Sequence, residues 1–274
     1  MRSRLIVAAL LAAAGCKGHT EPQDAGSAPP AQAAAPAATA RASAAASSGQ
    51  GTARAVADTN DLYEFAYAYP AAAGAIPALK NWLDSDLDAQ KAKLIKGARD
   101  WQAEAKRGGL PYHAYVHSTK WQVVTDLPGW LSLSAQRWEY LGGAHGNPWS
   151  DGLLWDKGAG VTRGALDLFT SPAALSAAIR QDFCAEIDRQ RGSKRGVPVK
   201  PGSNEEFTEC IDPVKSQIIL GSGDHQHFTR LGVLVNPYEA GPFAEGNYEV
   251  TLPVTAAVLA AIKPAYRGAF AQAR

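Results

Sequence analysis

A long stretch without a single large apolar side chain constrains this chain most. Residues 21–55 hold 15 Ala and 4 Pro, and no Leu, Ile, Val, Phe, Trp, Tyr or Met. Such a composition buries too little apolar surface to offset the entropy lost on ordering, and its prolines interrupt a helix through the Ala runs. We therefore predict a disordered tether over residues 16–57 and a folded part that begins at Asp58. A helical Ala-rich middle of the tether is the alternative.

The N-terminal residues predict export. Two arginines, Arg2 and Arg4, precede an apolar stretch of about ten residues over 5–14. That length is typical of a secretory signal and is too short to span a bilayer. We therefore predict that residues 1–15 form a signal peptide.

Cys16 is the predicted lipidation site. It follows the small residues Ala14 and Gly15 in a pattern that resembles the bacterial lipobox, although Ala13 stands where that pattern prefers Leu. We expect an extracytoplasmic lipoprotein that contacts the membrane through this lipid anchor. In a diderm cell we expect the periplasmic side of the outer membrane, because Lys17 is not an acidic retention signal. An ordinary secretory signal with an incidental cysteine is the alternative.

Charge and composition exclude several classes of protein. The chain has 27 Lys and Arg against 26 Asp and Glu, a net charge of +1. This balance offers no broad basic surface, so we expect no nucleic-acid partner. Beyond the N-terminus no apolar run approaches the roughly 20 residues of a transmembrane helix, which excludes a multispanning transporter. Three Cys and one Met argue against a zinc-cluster or iron–sulfur protein, and we expect no cofactor.

The periodicity of the remaining residues predicts an α+β fold with a mostly antiparallel sheet and two or three helices. Aromatic side chains repeat every two residues over 63–69, which predicts a strand, and apolar residues over 76–107 recur at helical spacing. Further strands are predicted over 115–124, 130–141, 153–155, 216–220, 228–235 and 248–252, with helices from Ser171 and over 255–262. The order of these elements is typical of the α+β class.

Cys184 and Cys210 are predicted to form a disulfide. They are the only cysteines left once Cys16 is lipidated, and they flank a polar stretch over 191–207 that we expect to be a loop. Paired cysteines in an exported protein normally form a disulfide. A catalytic cysteine paired with a histidine is the alternative.

The histidines give no clear metal site. His113 and His117 lie four residues apart in a strand-like context, where that spacing covers about 13 Å, and we interpret both as surface or structural residues. His225 and His227 are better placed, because residues two apart on a strand point the same way and can bind zinc with a third ligand. A polar turn is the simpler interpretation. No nucleophile elbow, HExxH, Walker or dinucleotide-binding motif is present, so we predict no catalytic residue.

The segment from Trp138 to Trp149, WEYLGGAHGNPW, is the best candidate for ligand recognition. Its glycines permit positive φ and close approach of the backbone to a ligand, and aromatic or polar-tipped side chains surround them. The candidate ligand-binding residues are Tyr140, Gly142, Gly143, His145, Asn147 and Trp149. A tight β-turn whose glycines only satisfy geometry is the alternative. Residues 236–253, NPYEAGPFAEGNYEVTLP, are interpreted as a structural turn that leads into a strand.

These two segments resemble a known superfamily. The block YLGGAHGN, followed by DLF and then by PYEAGPFAEGNYEVTLP, is similar to the paired domains of unknown function shared by the PdaC peptidoglycan deacetylases and the RsiV anti-sigma factors. The upstream strand YEFAYAYP resembles the first domain of that pair. The resemblance covers roughly residues 58–270. It implies a PdaC-like N-terminal α+β subdomain over 58–135 and an RsiV-like C-terminal α+β subdomain over 136–274.

The resemblance implies a narrow function. PdaC proteins carry their deacetylase chemistry in an additional domain, with an Asp and paired His on a metal, for which this chain has no motif. RsiV-like proteins use the shared region to bind lysozyme, and we expect neither their transmembrane helix nor their sigma-binding part here. We therefore expect an exported lipoprotein member without a catalytic deacetylase domain. Its expected partner is a cell-wall glycan, such as peptidoglycan, or a wall-acting protein such as a lysozyme-like hydrolase.

Two other functions remain open. A hydrolase or deacetylase that acts on wall glycans would use His145 or the pair His225 and His227, and would retain zinc. An envelope-assembly factor would have protein partners only and no affinity for sugars.

Overall fold

The structure is a computed structural model that describes residues 51–200, 202–203 and 205–273. The predicted signal peptide, the lipidation of Cys16 and most of the predicted tether lie outside these residues. Residues 46–274 form one compact unit, which contains both sheets and both hydrophobic cores.

Six strands form the larger sheet, and they lie in the order of the chain. They are β1 (Arg54–Thr59), β2 (Tyr63–Tyr69), β3 (Tyr115–Asp126), β4 (Trp130–Tyr140), β5 (Asn147–Asp156) and β6 (Val161–Arg163). Neighbouring strands are antiparallel, except that β2 and β3 run parallel. Parallel strands need a crossover connection, which the short helix α1 (Ala71–Gly74) and the long helix α2 (Pro77–Gly108) supply.

Helix α2 covers one face of the larger sheet. Pro77 lies in its first turn, and Gly109 ends it with a φ of 64°, in the left-handed region that favours glycine. Its fully buried leucines are Leu79, Leu83, Leu87 and Leu94. They pack against the aromatic side chains at alternate positions of β2. The residues of the alternating pattern in β2 and of the helical pattern in α2 therefore pack in one core.

The smaller sheet consists of β7 (Gln217–Gly221), β8 (Arg230–Val235) and β9 (Tyr248–Pro253), all antiparallel. Helix α3 (Pro172–Arg195) and the short helix α4 (Ala256–Ala261) pack with it. The buried stripe of α3 is Leu175, Ile179, Phe183 and Ile187, as its helical spacing predicts. The hydroxyl of Ser171 accepts a hydrogen bond from the backbone N–H of Ala174 at 3.0 Å and caps the start of α3.

The two faces of the larger sheet belong to different cores. On β5, Leu153 and Trp155 lie in the core under α2, whereas Leu154 lies in the core shared with α3. Gly152 lets the two sheets approach closely, because a side chain there would meet Gln217 and Ile219 of the smaller sheet. The larger sheet therefore separates α2 from the smaller sheet.

The α+β class with a mostly antiparallel sheet is confirmed. The predicted boundary between residues 135 and 136 falls inside β4, and the division into two subdomains stays a prediction. Within the residues that the structure describes, no helix is both long and apolar enough to cross a membrane.

Three element boundaries differ from those expected. Strand β1 begins at Arg54, inside the predicted tether, because it pairs with β2 along its whole length and because Arg54 bonds Asp84 of α2. Helix α3 continues to Arg195, into the stretch expected to be a loop. Strand β5 begins at Asn147 rather than at residue 153. In each case contacts between distant segments order residues whose local sequence is polar or small.

Candidate functional site

The two segments that the sequence singled out are in contact. Residues 141–146 connect β4 to β5, and the imidazole ring of His145 stacks on the ring of Phe243, with centroids 4.0 Å apart. The backbone N–H of Ser150 donates to the side-chain oxygen of Asn236 at 2.7 Å. Segments about 90 residues apart in sequence therefore form one surface.

The glycines of the 141–146 connection are required by its geometry. Gly142 and Gly143 have φ values of 80° and 102°, which side chains rarely adopt. A β-carbon on Gly146 would lie 2.1 Å from the ring of Trp138. The hydroxyl of Tyr140 donates to the carbonyl of Gly143 at 3.2 Å. These contacts fix the loop without a ligand.

Apolar and aromatic side chains surround this contact. Trp138 is 39 % exposed, Leu141 45 % and Tyr238 54 %, and the ring of Tyr238 lies 5.8 Å from that of Phe243. We call these three residues, together with His145 and Phe243, the loop surface. His145 is its single ionisable side chain apart from the tyrosine hydroxyl.

The end of helix α3 holds the 236–246 segment in place. Arg191 is fully buried and donates through Nε to the carbonyl of Ala240 at 2.8 Å. Arg195 binds the carboxylate of Glu245, and Lys194 donates to the carbonyl of Glu245 at 2.6 Å. Lys194 Nζ also lies 3.8 Å from the ring centre of Tyr248, and its pKa is lowered, mainly by burial. These cations account for the structure of this segment, so its interpretation as a turn agrees with the contacts.

The larger sheet divides the predicted ligand-binding residues into two groups. Tyr140 and the 141–146 connection adjoin the loop surface, whereas Asn147 and Trp149 lie in β5. Trp149 faces α2, because it pairs directly with Arg137 in the register of β4 and β5. Its ring meets the buried ring of His117 edge-on, with centroids 6.1 Å apart.

A buried arginine lies beside Trp149. The side chain of Arg137 is 5 % exposed, and its Nη2 lies 3.3 Å from Asp86 Oδ2 and 3.2 Å from Asp151 Oδ2. Its Nη1 donates to the hydroxyl of Thr119 at 3.4 Å, and its guanidinium carbon lies 5.5 Å from the ring centre of Trp121. We call Arg137, Asp86, Asp151, Thr119 and His117 the Arg137 cluster.

Asp86 connects this cluster to α2 and β2. Its carboxylate accepts hydrogen bonds from the hydroxyl of Tyr67 at 2.8 Å and from the side chain of Gln90 at 3.2 Å. The indole N–H of Trp121 donates to the same tyrosine hydroxyl at 2.9 Å. Burial and the neighbouring Asp86 raise the pKa of Tyr67, which keeps its phenol protonated and able to donate.

His117 is a neutral member of the cluster. Burial, and secondly the charge of Arg137, lowers its pKa from 6.5 to about 4. Its Nε2 lies 3.1 Å from the hydroxyl of Thr119, and its ring stacks on Phe65 at 5.9 Å. Its Nδ1 lies 3.9 Å from Glu139. At neutral pH Arg137 is therefore the one cationic side chain of the cluster, and it lies against the carboxylates of Asp86 and Asp151.

One buried donor of the cluster lacks a partner. Arg137 Nε is inaccessible to solvent and makes no hydrogen bond within the described residues. A buried donor left unsatisfied costs about 1–3 kcal/mol. The other two nitrogens of this guanidinium each have at least one partner in the cluster.

The sequence contained a signal for this cluster that motif reasoning missed. The buried face of β4 alternates through Leu131, Leu133 and Ala135. Arg137 occupies the next position of the same alternation, and Asp86 lies between the buried Leu83 and Leu87 of α2. Charges that fall on the apolar face of both a strand and a helix indicate a buried pair.

The other candidate residues lie apart from the cluster. In the loop between β7 and β8, Asp224 accepts hydrogen bonds from the backbone N–H groups of Gln226 and His227, and its other oxygen lies 3.1 Å from His227 Nδ1. His225 has a φ of 59° in this turn, which agrees with the simpler interpretation of the segment as a polar turn. His113 is exposed before β3. Among residues 51–273, positions 201 and 204 aside, no three His, Cys, Asp or Glu are arranged to hold a metal.

Cys184 of α3 and Cys210 form a disulfide, which confirms the predicted pairing. The bond ties the segment before β7 to the helix. Arg180 reinforces it by donating to the carbonyl of Cys210 at 3.0 Å.

Comparison with known proteins agrees with the expected resemblance. A DUF3298 family protein from Bacteroides fragilis is 15 % identical with a TM-score of 0.42, and the match covers 75 % of this chain and 92 % of that one. A DUF3298 family protein from Pseudomonas aeruginosa is 12 % identical with a TM-score of 0.42, over 82 % of this chain and 98 % of that one. No curated protein matches the chain. The family model described as Deacetylase PdaC matches residues 56–148. This range includes every residue of the Arg137 cluster except Asp151. The similarity to this family therefore extends over residues 56–148, about a third of the chain.

Proposed function

We propose that this chain is a lipid-anchored extracytoplasmic module that binds cell-wall glycan through the loop surface. The observation that carries the proposal is the stacking of His145 on Phe243, which joins two remote segments into one exposed aromatic surface. Exposed aromatic rings offer flat apolar faces that complement the apolar faces of pyranose rings.

The electrostatics of the loop surface support a neutral ligand. No carboxylate, lysine or arginine belongs to it, and the neighbouring Glu245 is neutralised by Arg195. A neutral polysaccharide therefore meets no unfavourable charge at this surface. The same aromatic and apolar composition also suits a protein interface, so a wall-acting protein is the second candidate.

Binding is a better-supported function than catalysis by the histidines. The ring of His145 packs face to face on Phe243, and its Nδ1 lies 2.9 Å from the carbonyl of Gly146. His227 is held by Asp224 in a local turn. Both contacts give these side chains a structural role.

The test is a pelleting assay of residues 46–274 with purified peptidoglycan sacculi. We expect saturable binding that His145→Ala and Tyr238→Ala each weaken at least fivefold. Leu141→Ala should also weaken it, whereas Val161→Ala serves as the matched control. Val161 is 42 % exposed, close to the 45 % of Leu141, and lies in β6, where it pairs with Asp156 at the end of β5 far from the loop surface.

A parallel titration with lysozyme separates the two candidate ligands. Binding to lysozyme but not to sacculi, with the same dependence on Tyr238, would replace the glycan by a protein partner. Binding to neither would contradict the proposal and favour an envelope-assembly factor. Binding to sacculi that none of the loop-surface variants weakens would place recognition elsewhere.

The anchor is tested separately on the full chain in cells. We expect the chain to fractionate with membranes and Cys16→Ser to release it into the soluble extracytoplasmic fraction. Release is expected because three acyl chains hold a protein to a bilayer far more firmly than protein contacts at its surface. Equal membrane association of the two proteins would contradict lipidation.

A further inference from the structure

We propose that strand β1 pairs with β1 of a second copy of this chain, so that the larger sheet continues across a two-fold axis. Strand β1 forms one edge of that sheet, and within the described part of the chain it pairs with β2 alone. An exposed sheet edge offers unpaired backbone donors and acceptors to another strand. No residue of the loop surface lies in β1, so this inference is independent of the proposed function.

Alternate residues of β1 direct their backbone N–H and C=O groups away from β2. The N–H of Asn60, the residue after β1, donates to the carbonyl of Tyr63 at 2.9 Å. Because residues of an antiparallel pair bond the same neighbour at every second position, the even-numbered residues of β1 bond β2. The odd-numbered residues are Ala55, Ala57 and Thr59, and their backbone groups face the open edge. No other segment among the described residues bonds them.

The opposite edge of the same sheet is protected. Strand β6 is three residues long, and N–H groups of β5 beyond it donate to side chains instead of to a strand. The N–H of Ser150 donates to Asn236 at 2.7 Å, and that of Gly152 donates to Asp151 at 2.8 Å. Pro148 has no N–H. These features leave that edge of the sheet without a row of free donors.

Strand β1 lacks the usual features that block an edge. Its six residues, RAVADT, include no proline and no lysine, and its register with β2 has no bulge. The side chains at its odd-numbered positions are small and lie exposed on one face of the strand. A second strand can therefore approach the edge without displacing a large side chain.

The charges of β1 select one register for this pairing. Arg54 and Asp58 flank Val56 on the face toward α2, and their side chains are 40 % and 35 % exposed. In an antiparallel pair centred on Val56, each Arg54 lies directly opposite Asp58 of the second copy. Opposite charges at such positions stabilise a sheet. The neighbouring registers place Arg54 opposite Val56 or Asn60 and lose both ion pairs.

The ion pairs within one copy are compatible with those between copies. Arg54 binds Asp84 of α2, and Asp58 binds Lys91 of the same helix at 2.6 Å. In the proposed register the charges alternate in sign from Asp84 through Arg54 to Asp58 and Lys91 of the second copy. Charges in such a network support one another, whereas an isolated surface pair contributes little.

Sedimentation equilibrium of residues 17–274 over a range of concentrations tests the pairing. We expect a reversible dimer whose dissociation constant Ala57→Pro raises about tenfold or more, because each copy then loses one N–H donated to the other. The fold should be retained, since this N–H does not bond β2 and proline is tolerated on an edge strand. Ala57→Ser keeps the N–H and is the matched control. Circular dichroism confirms that each variant is folded.

Cysteine cross-linking in the same protein tests the register. In the proposed pairing the two copies of Val56 face each other at a position without hydrogen bonds, with Cα atoms about 4.5 Å apart, which suits a disulfide. Val56→Cys should therefore form an intermolecular disulfide under mild oxidation. Ala57→Cys should not, because its two copies occupy diagonal positions about 7–8 Å apart.

The remaining outcomes each overturn the inference. A monomer at every concentration, or a dimer that Ala57→Pro does not weaken, would exclude β1 as the interface. Faster cross-linking of Ala57→Cys than of Val56→Cys would refute the register that the charges select. A monomer for residues 17–274 together with a dimer for residues 46–274 would show that the N-terminal segment of the same chain occupies the edge.

Discussion

Replacement of His117 by phenylalanine should remove a defined part of the acid sensitivity of this fold. The folded-state pKa of His117 is about 4, against an ordinary value of 6.5 for histidine. The unfolded chain therefore binds more protons at this position between these two values. The contribution of neutral His117 to stability is complete above pH 6.5 and is lost as the pH falls toward 4.

The size of the effect follows from the pKa difference. At about 1.4 kcal/mol per pKa unit, the shift corresponds to about 3 kcal/mol of free energy of unfolding. Phenylalanine keeps the stacking with Phe65 and the contact with Trp149 but cannot take up a proton. Phenylalanine cannot form the hydrogen bond that His117 makes with the hydroxyl of Thr119. This loss lowers the free energy of unfolding by a similar amount at every pH, so it does not change how steeply stability depends on pH.

Urea denaturation at a series of pH values between about 7 and 4, at constant ionic strength and with the disulfide intact, measures this difference. Wild type should lose about 3 kcal/mol more than His117→Phe over this range, whereas His113→Phe, at an exposed position, should follow wild type. All three proteins contain the same carboxylates. Parallel pH profiles of wild type and His117→Phe would refute the reasoning that His117 is buried and neutral.

Three further predictions concern contacts outside the cluster. Gly146→Ala should lower the melting temperature by several degrees in a circular-dichroism melt, because its methyl group would lie 2.1 Å from the ring of Trp138. Reduction of the Cys184–Cys210 disulfide should lower the free energy of unfolding by about 3.5 kcal/mol for its 26-residue separation, measured in urea with and without reductant. Arg191→Met should cost about 3–5 kcal/mol in the same assay, because it leaves a carboxylate and buried carbonyls without their donor. Unchanged values would show that these contacts do not carry stability.

The parts of the fold that could be predicted are those fixed by local patterns. The alternating aromatic residues of β2 and the leucine stripe of α2 each fall within one element, and both elements form where expected. Strand β1 could not be predicted, because Val56 is its one large apolar residue. Its order comes from pairing with β2 and from the bond between Arg54 and Asp84, thirty residues away.

The candidate site was predictable only in part, because it too depends on contacts between segments that are distant in sequence. The GGAHGN block identified the connection between β4 and β5. The register of those strands places Trp149 beside Arg137, whereas His145 contacts Phe243. The Arg137 cluster combines side chains of α2, β3, β4 and β5. Their proximity depends on the parallel pairing of β2 with β3, which no short window of sequence encodes.

The Arg137 cluster leaves one question that a double variant resolves. A buried ion pair replaced by apolar residues of similar size is often no less stable, so stability alone does not explain a guanidinium between Asp86 and Asp151 in an otherwise apolar core. Arg137→Met combined with Asp86→Leu removes the innermost pair while leaving the half-exposed Asp151 in water. We expect this variant to keep its free energy of unfolding within about 2 kcal/mol of wild type in urea denaturation, because apolar side chains of similar size replace the pair. A loss of more than about 4 kcal/mol would contradict this expectation and show that the fold depends on the buried charges.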